Sequence, residues 1–260
     1  SVRSIPHRRL TAVNLRWGIE RTLARGRTAS DPVAAMVDEA LAIQNEDEQA
    51  CLSMARHAQE FFGDDAPVMT HCNTGFLCTG GYGTALGAIR LAHEQGRGVS
   101  VVHTETRPLM QGSRLTAWEL DQIGVPHSLV VDAAAPGLIA RGAVSLVITG
   151  ADRIAANGDV ANKVGTYPLA LAAREAGVPF VVVAPWSTVD LSIPDGAAIE
   201  VEERGGAEVT SILGRIDVAP AGTVAINPAF DITPASLITA IVTERGVARA
   251  PFDSSLDAMR

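Results

Sequence analysis

Cysteine is scarce in this sequence. Cys51, Cys72 and Cys78 are the only three in 260 residues, an odd and sparse count that fits a reducing compartment better than a disulfide scaffold. No spacing among them and the six histidines resembles a zinc site, and no metal is expected. Apolar runs are short. None is long enough to span a bilayer, and the opening "SVRSIPHRRLTAVNLRW" has no apolar core of signal-peptide length, so the chain reads as cytoplasmic. Positive charge is in deficit: the formal net charge is -8, which argues against nucleic acid or an anionic membrane as the main partner. A small anionic ligand is still compatible, because a few local Arg, Lys and backbone N–H groups can hold one. Internal repeats and low-complexity linkers are absent too.

What is present is apolar. The hydrophobic fraction is 47% and the charged fraction 19%, enough for a sizeable core and against disorder. Residues 11–62 read as helical. "TAVNLRWGIERTLARG" has helical apolar spacing and ends at Gly26, and the next helix opens with Ser30 or Asp31 as cap and Pro32 in its first turn. From about residue 66 the texture changes. Short β-branched runs ("PVMTHC", "GVSVVHTET", "PHSLVVD", "VSLVITGAD", "PFVVVAP", "TVAINPAFD") alternate with helix-like stretches. Strands buried on both faces read as continuous apolar runs, and their alternation with helices implies βαβ units. The expectation is an α/β protein: a helical segment over 1–63, then a Rossmann-like, doubly wound, mostly parallel sheet over 64–260. "VEERGGAEV" near 201–209 is expected to be a surface excursion.

In such sheets ligands bind beyond the carboxyl ends of the strands, where unusual polar residues gather: His71, Cys72 and Asn73; Thr104, Glu105 and Arg107; Asp132; Asp152 and Arg153; Ser187; Asp231. Cys72 is either a small buried hydrophobe or a thiol near a helix N-terminus, where the dipole favours a thiolate. Cys78 is its nearest competitor, and Cys51 is assigned to packing. The glycines of "TGGYGTALG" suit either a backbone anion cradle or close helix–strand packing; they match neither the Walker pattern nor a dinucleotide fingerprint. That mismatch weakens a dehydrogenase reading. In "ETRPLMQGSRLTAWEL", Gln111 stands near a helix start and can bind a phosphate or hydroxyl group. "ITGADRIAANGDVANKVGTYPLALA" is read as a strand running into Asp152, a candidate general acid/base. A polar loop then leads to Asn162 and Lys163 at the next helix start, where Lys163 and the helix amides make a phosphate grip. The bland alternative for Asp152 is an ion pair with Arg153.

Taken together, "THCNTGFLCTGGYGTALGAIR", "ETRPLMQGSRLTAWEL", "GADRIAANGDVANKVGTYPLA" and "NPAFDITPASLITAIVTERG" resemble the methylthioribose-1-phosphate isomerase family. These are aldose–ketose isomerases of methionine salvage, related to ribose-1,5-bisphosphate isomerases and to regulatory subunits of a translation-initiation nucleotide-exchange factor. The resemblance runs from about residue 9 to 246. It implies that Cys72 and Asp152 are the catalytic pair and that Arg9, Gln111, Asn162 and Lys163 contact substrate and its phosphate. It also implies a phosphorylated thiosugar as substrate, a homodimer, and no metal or nucleotide cofactor. Family members carry a further "RGAPAIG"-like stretch that helps hold the phosphate. This sequence shows none, so residues 1–63 are read as the remnant of a small N-terminal domain. A bisphosphorylated pentose as substrate, or a non-catalytic sugar-phosphate sensor, are the competing expectations.

Overall fold

The structure is a computed structural model, and it describes residues 13–63 and 67–260. It opens with two antiparallel-packed helices, α1 (Asn14–Arg27) and α2 (Pro32–His57). Asp31 caps α2, its carboxylate accepting the Val33 and Ala34 N–H groups, and Pro32 fills the first turn, where its missing N–H is harmless.

The chain continues through β1 (Pro67–Thr70), α3 (Ala85–Glu94), β2 (Ser100–Thr104), α4 (Ala117–Ile123), β3 (His127–Val130), α5 (Ala135–Ala140) and β4 (Leu146–Thr149). A hairpin, β5 (Arg153–Ala155) and β6 (Val160–Lys163), precedes α6 (Thr166–Ala176), β7 (Phe180–Val183) and β8 (Val189–Asp190). Last come α7 (Ala207–Thr210), β9 (Ser211–Ile212), β10 (Ile216–Asp217), β11 (Phe230–Thr233), β12 (Ala240–Thr243), β13 (Gly246–Ala248) and α8 (Phe252–Asp257).

Seven strands form the main sheet in the order β13-β12-β7-β4-β1-β2-β3, parallel except for the edge strand β13. Successive residues face opposite sides, so each strand feeds two cores. Val68, Val101, Ile148 and Val183 pack under Met54 of α2 and Ile89 of α3. Met69, Val147, Val182 and Ile241 pack against Ile139 of α5, Leu169 of α6 and Leu256 of α8. The expected doubly wound α/β sheet is present. From β1 the chain winds outward to β2 and β3, then returns to β4 on the other side. The topological switch point, the place where strand order reverses, therefore lies between β1 and β4.

Three expectations are corrected. "GADRIAANGDVANK" is not a polar loop. Its arms pair antiparallel as β5 and β6 within a second sheet, β11-β6-β5-β8. Ile154, Ala155, Val160 and Ala161 are fully buried, and Gly158 turns between them at a φ of 87°, a conformation suited to glycine. "TVAINPAFD" does not add a strand to the parallel sheet either: Phe230–Thr233 pairs antiparallel with β6, setting Asp231 opposite Asn162. The stretch near 201–209 is more than a surface excursion. Glu203 bridges to Pro228, and Arg107 donates to the Val209 carbonyl at 2.8 Å.

Candidate active site

Because β1 and β4 run parallel side by side, the segments leaving them emerge together. A cleft of about 330 Å³ opens there, lined by Cys72, Asn73, Asp152 and Asn162, with Asn14 and Asp47 from the helical segment. Cys72, Asp152 and Asn162 are thus brought together as the sequence suggested. Lys163, also buried, adjoins them and is coupled electrostatically to Cys72 and Asp152. Gln111 is not among the residues lining the cleft. It sits on the β2–α4 connection, and its Oε1 is buried with no hydrogen-bond partner among the described residues. Arg9 lies outside the described residues.

Cys72 adopts a φ of 62°, a region that costs a non-glycine residue about 1–2 kcal/mol. Threonines hold both sides of it. Its N–H donates to Thr106 Oγ1 at 2.9 Å, and Thr116 Oγ1 donates to its carbonyl at 2.5 Å. Thr106 is itself fixed, since its N–H and that of Arg107 donate to the Asp132 carboxylate at 2.8 and 2.7 Å. Behind Cys72, His71 is buried: one ring nitrogen faces Thr104 Oγ1 at 2.6 Å and the other the Val164 carbonyl at 3.0 Å. Burial holds His71 neutral, down to about 4.

Of the two readings of Cys72, its surroundings disfavour the resting thiolate. Cys72 keeps part of its surface in the cleft, but the protein packed around it desolvates the sulfur and pushes the thiol up to about 12, with Asp152 adding to the rise and the Asn73 N–H and Lys163 opposing it. Desolvation outweighs the nearby donors, so the group rests protonated. Burial likewise lowers the Lys163 ammonium.

The glycine-rich turn is not an open anion cradle. Gly80 N–H donates to Asp47 Oδ2 of α2 at 2.5 Å, and the Gly81 and Gly83 N–H groups both face Thr79 Oγ1. A Cβ on Gly80 would come within 2.7 Å of the Gln44 carbonyl, so close packing of α2 is the reason for the glycine. Nor do free amides await at the start of α6. Lys163 stands on β6, three residues before the helix, and Asp231 accepts the Gly165 and Tyr167 N–H groups at 2.7 and 3.1 Å. Burial raises Asp231 to about 6 against those donors. Arg153 reaches Asp190 at 3.8 Å, while the Asp152 N–H donates to the Ala161 carbonyl at 2.9 Å.

Sequence reasoning passed over Glu119. It is fully buried on α4, and its carboxylate accepts Asn73 Nδ2 and the Phe76 N–H at 2.7 Å each. Asp47 was missed as well. Both come from helices whose patterns read only as helix, and neither carries a local signal that it closes a turn elsewhere.

A Rossmann-like sheet with a cleft at its switch point narrows the class of protein, and comparison with known proteins identifies it: the chain belongs to the initiation factor 2 subunit family, whose match covers residues 1–250. Among its relatives, the methylthioribose-1-phosphate isomerase of Pelotomaculum thermopropionicum is 52% identical, over 98% of this chain and 71% of the relative. The protein of the same name from Syntrophotalea carbinolica is 55% identical, over 94% and 72%. Among solved structures, 5-methylthioribose 1-phosphate isomerase from Pyrococcus horikoshii superposes with a TM-score of 0.88 at 41% identity, covering 95% of this chain and 70% of that one. The translation initiation factor eIF-2B subunit delta from A. fulgidus gives 0.86 at 38% identity, covering 95% and 73%. Among the described residues, no helix is long and apolar enough to cross a membrane.

Proposed function

We propose that this chain is an aldose–ketose isomerase that converts 5-methylthioribose 1-phosphate to 5-methylthioribulose 1-phosphate, the reaction of methionine salvage. The relatives named above support the activity. The observation that carries it is the meeting of Cys72 and Asp152 in one cleft at the switch point, with Lys163 buried beside them.

The substrate carries its phosphate on the anomeric oxygen, so it cannot open spontaneously to a free aldehyde. The enzyme has to assist ring opening and then carry hydrogen from C2 to C1. Asp152 acts as acid/base on the ring oxygen or the 2-hydroxyl, and Cys72 handles the carbon-bound hydrogen. A thiol pushed up to about 12 has first to pass its own proton to a base in the cleft, and the thiolate so formed is then basic enough for a weakly acidic C–H. Lys163 and Asn162, with Arg9 and Gln111, bind the substrate and its phosphate. The working form is a homodimer in the cytoplasm. Following ketose formation, with ribose 1,5-bisphosphate as competitor, tests the reading. Turnover of the thiosugar with weak inhibition by the bisphosphate is expected. Thermal stabilisation by the thiosugar phosphate without ketose formation would instead indicate a sensor.

A further inference from the structure

The geometry points to Glu119 as a positioning residue for this reaction: its carboxylate shapes the 73–77 turn and, through Asn73 and Thr116, fixes the backbone that presents Cys72. This rests on Cys72 being a reacting group, as proposed above.

Glu119 lies in the first turn of α4 and has no exposed surface. Carboxylates are almost never buried so fully without a partner, and here the partners all come from one turn. Asn73 Nδ2 donates at 2.7 Å, the Phe76 N–H at 2.7 Å and the Leu77 N–H at 3.4 Å. The turn is built to receive this group. A Cβ on Gly75 would fall 1.9 Å from Glu119 Oε2, so the carboxylate occupies the space that any other residue at 75 would fill.

The contact also continues to Cys72. Asn73 Nδ2 reaches Thr116 Oγ1 at 3.3 Å as well as Glu119. With that oxygen accepting from Asn73, its proton is directed onto the Cys72 carbonyl. Burial raises the Glu119 carboxyl against the Asn73, Phe76 and Leu77 donors, but all three of those partners donate to it, so it serves as the acceptor that sets the sense of the relay: Glu119 holds the Asn73 amide, Asn73 orients the Thr116 hydroxyl, and Thr116 grips Cys72. Cys72 needs that grip because its φ is 62°. A glutamine at 119 would present an N–H₂ group to donors; it is relieved if the Asn73 amide turns over to offer its unpartnered Oδ1, and that turn takes away the N–H₂ that orients Thr116.

A purely structural role is the rival, and kinetics separate the two. The variants are Glu119→Gln, Thr116→Val, Thr116→Ser and the double Glu119→Gln/Thr116→Val. Each is read by kcat and KM for ketose formation, by thermal midpoint, and by the rate at which iodoacetamide alkylates Cys72. Misplacement by about 1 Å costs on the order of a hundredfold in rate. Glu119→Gln and Thr116→Val should therefore each lower kcat roughly a hundredfold with KM within about threefold, and the double variant should be no worse than the poorer single, because they act in one relay. Thr116→Ser, which keeps the hydroxyl, should stay within about threefold of wild type. The alkylation rate of Cys72 should shift in the two impaired singles and not in Thr116→Ser.

Folded Glu119→Gln and Thr116→Val proteins with wild-type kcat, or losses that multiply in the double variant, would overturn the proposal. Should Glu119→Gln fail to fold, the comparison of Thr116→Val with Thr116→Ser decides: equal turnover overturns it. Should the wild type form no ketose, the isomerase reading falls, and the alkylation rates alone still decide whether Glu119 and Thr116 set the posture of Cys72.

Discussion

The protonated state of Cys72 can be tested by its reactivity. A thiol pushed up to about 12 is ionised at pH 8 to roughly one part in ten thousand, whereas an ordinary thiol near 8.5 is about a quarter ionised. The population deficit is thus about three orders of magnitude. A more basic thiolate is also a better nucleophile, with a Brønsted coefficient of about 0.4–0.5, which returns a factor of roughly 25 to 55 over this gap. The net expectation is alkylation roughly forty- to a hundredfold slower than a free thiol at pH 8, before any loss from restricted access. The assay is iodoacetamide labelling from pH 7 to 10, with the Cys72 peptide quantified by mass spectrometry. The logarithm of the rate should climb with pH at a slope near one throughout. A plateau below pH 9, or a rate at pH 8 matching glutathione, would mean that the nearby donors outweigh burial, and the reasoning would be wrong.

Other outcomes follow from the same geometry. Lys163 opposes the rise of the Cys72 thiol, so Lys163→Met should slow that labelling further and raise KM at least tenfold if the ammonium holds the phosphate. Gly75→Ala sets a methyl group 1.9 Å from Glu119 Oε2 and should destabilise the protein by about 3 kcal/mol in urea unfolding, at the upper end of overpacking effects; a loss under 1 kcal/mol would show that the turn yields. Acid should also weaken the fold. Burial holds His71 and His103 neutral down to about 4, against about 6.5 when unfolded, so each contributes stability that is full above pH 6.5 and lost as pH falls towards 4, on the order of 3 kcal/mol apiece. Asp231, raised to about 6, works the other way, because protonating it below pH 6 relieves a buried charge worth about as much. Two histidines against one aspartate leave a net loss of about 3 kcal/mol between pH 6.5 and 4, and a gain in stability on acidification would contradict it.

The parallel sheet could be read from sequence because its strands are buried on both faces: "LVIT" and "FVVV" are continuous apolar runs with nowhere else to go. The hairpin of β5 and β6 escaped because its arms are three and four residues long and its apolar pairs flank "ANGD", which reads as loop. Cys72 and Asp152 could be placed because strand ends in such a sheet converge, whereas Asn162, expected at a helix start, reaches the cleft from β6 of the second sheet. The protonation of Cys72 could not, since it depends on burial and on Lys163 and Asp152, which are distant in sequence. The two readings of the glycine-rich turn could not be separated for a related reason: the acceptor that occupies Gly80 N–H is Asp47, from a helix that ends before the sheet begins.

The proposed isomerisation requires Cys72 and Asp152 to act as one catalytic unit in the cleft between β1 and β4. The most direct measurement is kcat/KM for 5-methylthioribose 1-phosphate in Cys72→Ala, Asp152→Asn and the double variant. Acid–base groups contribute about 10²–10⁴ each, and groups acting as a unit are not additive. Each single variant should lose roughly a thousandfold, with the double no worse than the poorer single. Near-wild-type turnover in either single variant would contradict the assignment.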